Sequence, residues 1–275
     1  MKNIVILYHA DCTDGFGGAY SAWKKFGDKA TYLPIWHSIP PPVILDKEIY
    51  LIDFAYSKEE LEELLKKNKR LIVLDHHFGS KDVVESIPEH IYDNERSGAG
   101  IAWGYFHPNK PLPRLIAYIQ DNDLWKKALP HAKEIAIYTN TLPFTFLDFE
   151  LAEGQFENDV TFVKIIEKGS MYSEYFDHLC ESLVSDAEEV IFDGHTVLAV
   201  NAPRFFRSQV GHLLAEKKGP FAVVWTYDNN RWHFSLRGND SLDLSEIAKR
   251  YGGGGHKNAA GFFIPFDNPF PFKKQ

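Results

Sequence analysis

The first 125 residues alternate short apolar runs with segments of helical periodicity, and this alternation constrains the fold more than any other feature. Arg70 to Leu74 is an unbroken apolar run, as expected for a strand that is covered on both faces. Lys58 to Lys67 carries Leu61, Leu64 and Leu65 on one helical face. Strands that alternate with helices predict a doubly wound, mainly parallel sheet.

The same patterns predict three parts of the chain. In residues 1–130, further strands are expected at 4–8, 30–36 and 48–52, and helices at 15–26, 98–106 and 113–125. Residues 131–190 predict a helical connector with an apolar stripe. Residues 191–275 predict a smaller α/β domain with a mixed sheet: strands at 195–200, 221–227, 231–237 and 260–265, a hairpin turn at 228–230, a helix at 242–251 and a Pro/Phe-rich tail without assigned structure.

The charge of the chain argues against a non-specific grip on long duplex DNA, because the formal net charge is −8. The acidity lies mainly in residues 131–190, which hold 3 basic and 13 acidic residues. Residues 191–275 hold 11 basic and 7 acidic residues, which suits a small anionic ligand. We therefore do not expect long duplex DNA to be a binding partner.

The N-terminal segment predicts a first β-strand and not a signal peptide, since its apolar run is short. No apolar run approaches the length of a membrane span. Cys12 and Cys180 lie far apart, so a disulfide framework or a zinc ribbon is not expected. These features predict a cytoplasmic protein without a membrane partner. The oligomeric state stays open, with a homodimer among the options.

Acidic and histidine side chains follow three predicted strands, where the strands end. They are His9, Asp11, Asp14, Asp53, Asp75, His76 and His77. The carboxyl ends of parallel strands form one edge where ligands bind. So many carboxylates repel one another unless cations lie between them. Mixed imidazole and carboxylate ligands favour Mn²⁺, with Mg²⁺ and Co²⁺ as alternatives.

Each residue also has an ordinary structural interpretation. Asp11 and Asp14 are suitable turn and N-cap residues for the helix that follows. Asp121 and Asp123 are typical of charges at a solvated helix end, and Cys12 of a small buried spacer. The conjunction of four such clusters, three of them after apolar strands, favours a metal site.

Two motifs carry a family resemblance. Asp75-His76-His77, preceded by the segment from His9 to Gly15, resembles the DHH phosphoesterase family. The run from Gly252 to Phe262 resembles the signature of the DHH-associated domain that follows in one subfamily, the nano-RNase or oligoribonuclease-like branch. The two motifs cover both halves of the chain.

The resemblance implies a two-domain enzyme with two bound divalent ions. One ion would be held by His9, Asp11 and Asp53, and the other by Asp14, Asp53, His76 and Asp121, with Asp53 bridging. Asp121 is favoured over Asp123. Asp75 would orient His76, and His77 would face the substrate phosphate. The residues implied to bind substrate are Arg237, Gly253, Gly254, Gly255 and His256.

The expected reaction is hydrolysis of short oligonucleotides or small nucleotide phosphoesters by a water molecule that two metal ions activate. One alternative is a pyrophosphatase or exopolyphosphatase that uses the same centre. Another is a nucleotide-binding module without catalysis. A partner-binding protein would use the acidic connector and the Pro/Phe tail instead.

Overall fold

The computed structural model describes residues 2–36, 39–228 and 230–274. In chain order the strands are β1 (Ile4–His9), β2 (Ala30–Ile35), β3 (Glu48–Ile52), β4 (Arg70–Asp75), β5 (His90–Tyr92), β6 (Glu188–Phe192), β7 (His195–Asn201), β8 (Phe221–Asp228), β9 (Arg231–Gly238), β10 (Gly254–His256), β11 (Ala259–Pro265) and β12 (Lys273–Lys274). The helices are α1 (Thr13–Phe26), α2 (Lys58–Lys67), α3 (Lys81–Glu85), α4 (Gly98–Phe106), α5 (Arg114–Asp123), α6 (Ala132–Thr139), α7 (Phe146–Glu157), α8 (Asp159–Ser185), α9 (Arg207–Lys217) and α10 (Leu244–Arg250). The chain forms two compact units, residues 1–173 and 174–275.

The first unit contains the parallel sheet that the alternating pattern predicts. Its strand order is β2-β1-β3-β4-β5, and every neighbouring pair is parallel. Leu7 and Leu51 pack on one face with Leu61 of α2, whereas Ile6 and Ile52 pack on the other face with residues of α1 and α4. Helices on both faces explain why the central strands are apolar throughout. The predicted doubly wound α/β fold is confirmed.

Two local devices determine where the helices of this unit begin. Ser57 accepts a hydrogen bond from the backbone of Glu60, and the Glu60 carboxylate accepts one from the backbone of Ser57, which forms a capping box at the start of α2. Ser97 caps α4 through the backbone N–H of Gly100. The predicted bounds of α2 and of α4 match the structure for this reason.

Residues 131–190 are largely helical, as their apolar stripe predicts, and include α6, α7 and α8. Phe149 and Phe156 are fully buried in a cluster that also contains Phe16 and Tyr20 of α1. The boundary between the two compact units lies within α8. A separate connector over 131–190 stays a prediction, and its first half shares the core of the first unit.

The second unit contains a mixed sheet in the order β10-β11-β9-β8-β7-β6-β12. β7 and β8 are parallel, and the other neighbouring pairs are antiparallel. β8 and β9 form the predicted hairpin, with Asp228 paired to Arg231. Of the predicted turn, Asn229 lies outside the described residues. The C-terminal mixed α/β domain is thereby confirmed.

The tail shows more order than its composition predicts. The Phe270 ring lies 5.0 Å from that of Trp225 and 5.1 Å from that of Phe234, centroid to centroid. Lys273–Lys274 then pairs with β6. Burial of aromatic rings therefore orders a Pro-rich segment for which the sequence offers no periodic pattern. In the described parts of the chain, no helix has the length and apolar character that crossing a bilayer requires.

Candidate metal centre

Seven side chains on or just after the carboxyl ends of β1, β3 and β4, together with Asp123 at the end of α5, form one group, which we call the strand-end cluster. Its ligand atoms form three groups, and within each group all atoms lie within 4.8 Å of one another. The groups are Asp53 with Asp75, His76 and His77; His9 with Cys12 and Asp53; and Asp14 with His76 and Asp123. The strands are adjacent and parallel, so their ends meet at one edge. The sequence predicted six of the eight as site residues.

Asp53 is the centre of this arrangement. It follows β3 directly, has a left-handed backbone (φ 67°) and is only 2% exposed. One carboxylate oxygen lies 3.2 Å from His76 Nε2, and the other lies 3.4 Å from His9 Nδ1. Burial opposes ionisation, but the hydrogen bonds with His76 and His9 outweigh it and hold the pKa of Asp53 below its ordinary value. Asp53 therefore stays a carboxylate.

Asp14 offers the clearest sign that an ion belongs here. Its Oδ1 accepts a hydrogen bond from the backbone N–H of Ala99, but its buried Oδ2 has no hydrogen-bond partner within the described residues. The nearest charged partner of Oδ2 is His76 Nε2 at 3.9 Å. Burial and the negative charges of Asp123 and Asp53 raise the pKa of Asp14 well above its ordinary value. A divalent ion would satisfy Oδ2 and remove this repulsion.

A glycine keeps the space beside these carboxylates open. A Cβ on Gly98, the first residue of α4, would lie 2.5 Å from Asp53 Cβ and 2.9 Å from Asp14 Oδ2. Only a residue without a side chain fits at this distance. The donor set, the unpartnered Oδ2 and this glycine together fit a bound divalent ion.

Asp121 and Asp123, near the end of α5, have different surroundings in the structure. Asp121, the predicted ligand, accepts hydrogen bonds from the backbone N–H groups of Ala128 and Leu129, at 2.9 and 3.4 Å. These two hydrogen bonds stabilise the loop after α5. Asp123 instead places Oδ2 3.4 Å from His76 Nε2. Burial and the charge of Asp53 raise the pKa of Asp123 to about 6. Asp123, and not Asp121, thus belongs to one of the ligand groups of the described residues.

Within the Asp-His-His motif, Asp75 pairs with a different histidine ring from the one that the sequence predicted. Asp75 Oδ1 accepts from Nδ1 of His77, at 2.8 Å, and from the backbone N–H of His76. Its ring partner is therefore His77, where the sequence predicted His76. Burial lowers the pKa of His77, but the hydrogen bond with Asp75 and the negative charges of Asp53, Asp75 and Asp123 outweigh this and raise it to about 9. His77 is 37% exposed and carries a positive charge at neutral pH.

The segment between β1 and α1 places Cys12, and not Asp11, in a ligand group. Asp11 is exposed with φ 58° and lies outside the three groups that the described residues form. The Sγ of Cys12 accepts from the backbone N–H of Gly15 and so caps α1, and it lies 3.6 Å from Asp53 Oδ2. Burial, Asp53 and Asp14 raise the pKa of this thiol, so it stays protonated.

The second unit contains the residues predicted to bind substrate. Arg237 lies on β9 and donates to Ser208 Oγ at 3.0 Å and to the Leu236 carbonyl at 2.8 Å. Burial and the charge of Arg207 lower its pKa to about 10, so it is still protonated at neutral pH. Gly254 and His256 lie on β10, which pairs with β11.

The glycines of this run have a structural reason of their own. A Cβ on Gly253 would lie 2.1 Å from the Gly261 carbonyl oxygen, and one on Gly255 would lie 2.5 Å from that of Ala259. Gly255 also has φ 140°. These two glycines therefore allow β10 to approach β11. At Gly254 an added Cβ would meet nothing within 4 Å.

Comparison with known proteins places this geometry in a family. Residues 206–269 match the DHHA1 domain. The uncharacterized protein R106 of Acanthamoeba polyphaga mimivirus is 34% identical over 98% of this chain and 70% of its own length. Oligoribonuclease NrnB of Bacillus subtilis is 25% identical over 78% of this chain and 59% of its own length. The chain belongs to the DHH phosphoesterase family.

A solved DHH domain, from a protein assigned to a family of ribosomal proteins, has the same fold as this DHH phosphoesterase. It superposes with a TM-score of 0.63 at 14% identity, over 96% of this chain and 83% of that one. The family resemblance predicted from Asp75-His76-His77 and the glycine run is confirmed. Membership makes this protein an enzyme that acts on phosphoester bonds, and the strand-end cluster is able to bind metal.

Proposed function

We propose that this DHH phosphoesterase hydrolyses short oligonucleotides or small nucleotide phosphoesters with two divalent ions, Mn²⁺ being preferred. The observation that carries the proposal is the convergence of ligand atoms on Asp53, which belongs to two of the three ligand groups. The similarity to oligoribonuclease NrnB over 78% of the chain supports the substrate class.

We propose that His9 and Asp53 hold one ion, and that Asp14, Asp53, His76 and Asp123 hold the other. Asp53 would contribute to both sites, because its two oxygens face different histidines, at 3.4 Å for His9 and 3.2 Å for His76. Asp123 takes the place that the sequence predicted for Asp121. The mixture of imidazole and carboxylate ligands favours Mn²⁺ over Mg²⁺.

Bound divalent ions supply a Lewis acid that activates water and neutralises charge on a phosphoryl group. In the proposed hydrolysis, water adds to phosphorus, the bond to the leaving oxygen breaks, and a proton passes to that oxygen. His77 stays protonated through Asp75, so it donates a hydrogen bond to a non-bridging phosphate oxygen. Asp75 fixes the orientation of that ring.

We propose that Arg237, Gly254 and His256 of the second unit contact the nucleotide. Arg237 keeps its charge although it is half-buried, and a guanidinium binds a phosphate through two parallel hydrogen bonds. Gly254 allows close approach because an added Cβ there meets open space. Gly253 and Gly255 act indirectly, through the shape of β10.

The test is turnover of three substrates in Mn²⁺: a dinucleotide, 3′-phosphoadenosine 5′-phosphate and inorganic polyphosphate. We expect fastest hydrolysis of the dinucleotide or the bisphosphate, and none by Asp53→Ala with an unchanged circular dichroism spectrum. Fastest hydrolysis of polyphosphate would favour the exopolyphosphatase alternative. Tight nucleotide binding without turnover would favour the non-catalytic module.

We also propose a reducing, cytoplasmic setting. The chain has two cysteines, Cys12 and Cys180, in no spacing that suggests a disulfide framework, as is usual where glutathione keeps cysteines reduced. Oxidation of Cys12 would disturb both the cap of α1 and the environment of Asp53.

A further inference from the structure

A cavity of about 320 Å³ in the first unit adjoins the strand-end cluster and has no role in the chemistry proposed above. His9, a proposed metal ligand, lines it, and so does Phe54, which directly follows Asp53. A group bound in this cavity would therefore lie beside a phosphate held at the cluster. The volume is within the range of small-ligand pockets.

Part of the cavity wall is apolar and aromatic. Trp36 and Ile39 line it and are 51% and 49% exposed, although both side chains are large and apolar. Phe54 lines it as well and stacks edge-on against Tyr56, with 5.0 Å between ring centroids. The exposed indole of Trp36 beside the cavity is suited to cover a flat, apolar ring face.

Two polar side chains, Tyr56 and Glu60, also line the cavity. Tyr56 lines it, is only 9% exposed, and its hydroxyl has no hydrogen-bond partner among the described residues. A buried phenol without a partner is costly, and a small shift of the Tyr56 ring toward the cavity would let a ligand atom become that partner. Glu60 lines the cavity too, and its Oε2 accepts from the backbone and the hydroxyl of Ser57. A carboxylate has lone pairs for further donors.

We propose that this cavity binds the nucleobase of one of the two nucleosides that flank the scissile phosphate. Apolar faces with polar edges are the chemistry of a nucleobase: Trp36 and Ile39 would cover the ring face, and Tyr56 and Glu60 would bond the edge. A base that carries N–H donors on its edge fits best, because Glu60 only accepts. This inference rests on the proposed phosphodiesterase function and names part of its substrate specificity.

The test compares Trp36→Ala and Tyr56→Phe with wild type on a dinucleotide and on two analogues, each lacking one base. On the intact dinucleotide we expect KM to rise at least about fivefold in Trp36→Ala, through lost stacking. We expect a rise of about two- to tenfold in Tyr56→Phe, through the lost hydrogen bond. On one of the analogues, both effects vanish. Val43→Ala is the control, since Val43 is 82% exposed and is not a lining residue.

A merely structural role would give a different pattern. Equal losses on all three substrates, or no loss on any, would overturn the proposal. Tyr56→Phe removes an unpartnered hydroxyl, so the free energy of unfolding without ligand should not fall; a marked fall would also count against the proposal.

A second experiment tests the cavity even if the proposed phosphodiesterase activity is absent. If wild type hydrolyses no dinucleotide, calorimetric titration with uncleaved dinucleotide still tests the cavity. Binding that Trp36→Ala weakens at least about fivefold supports a base site. Binding that is unchanged in Trp36→Ala, or no binding to wild type, contradicts it.

Discussion

At the residue scale, the choice between Asp121 and Asp123 shows what a sequence leaves open. Both are acidic residues near the end of α5, two positions apart, so they point in different directions around the helix. Which one reaches the cluster depends on how α5 is rotated against the sheet. Asp121 is 7% exposed and fastens a loop, whereas Asp123 lies beside His76. Neither the spacing nor the composition of the sequence determines that rotation of α5.

The pair provides a matched test. Asp123→Asn should weaken Mn²⁺ binding and lower kcat/KM by at least about tenfold, because partners of bound metals are worth this much. Asp121→Asn should leave Mn²⁺ affinity unchanged but lower the free energy of unfolding by about 1–3 kcal/mol, because the N–H groups of the loop lose a charged acceptor. Metal titration and urea unfolding of both variants check this. The reverse assignment would contradict the geometry.

A second prediction at this scale concerns the effect of Asp75 on the pKa of His77. Asp75→Asn replaces the carboxylate that holds His77 protonated, so the pKa of the His77 ring should fall from about 9 toward its ordinary value. The shift is measured by NMR titration of the ion-free protein, followed through the ring protons. An unchanged pKa in the variant would show that Asp75 does not govern this charge.

At the element scale, the start of α4 is the most sensitive position near the cluster. Gly98→Ala would force a Cβ to within 2.5 Å of Asp53 Cβ, so the helix end or Asp53 must move. We expect loss of most Mn²⁺ binding and of activity. Gly154→Ala is the control in α7: an added Cβ there meets nothing within 4 Å, so the free energy of unfolding should rise by about 0.5–1 kcal/mol. Retention of full activity in Gly98→Ala would show that the site tolerates the methyl group.

A further element-scale prediction concerns pH and β9. Burial, together with Arg207 and Arg204, lowers the pKa of His233 to about 4 from its ordinary 6.5. Between these values the unfolded chain binds a proton that the folded chain does not, so stability falls as the pH drops from 6.5 toward 4. His233→Phe should flatten this dependence in urea unfolding across the same range. An identical slope in variant and wild type would contradict it.

Elements differ in how far the sequence determines them. α2 and β3 match their predicted bounds because a capping box and a clean apolar run mark their ends. β6, β10 and α9 escaped prediction. β6 and β10 are short edge or near-edge strands with little apolar alternation, and α9 has apolar residues without a strong face. Their structure comes from tertiary pairing and packing.

At the scale of the whole molecule, family membership follows from motifs that lie far apart in the chain. Asp75-His76-His77 is in the first unit and the matched DHHA1 residues, 206–269, are in the second. The parallel sheet explains why strand-end residues converge, which the alternating pattern already predicted. The sequence could not show that the buried Oδ2 of Asp14 lacks a partner among the described residues, because that depends on the final packing.

The central claim is that the strand-end cluster binds divalent ions through Asp53. Its most direct test is calorimetric titration of Mn²⁺ into the ion-free protein, for wild type and Asp53→Ala, with circular dichroism as the check on folding. We predict two ions per chain for wild type and loss of this binding in the folded variant. Absence of Mn²⁺ binding by wild type, or equal binding by both proteins, would contradict it.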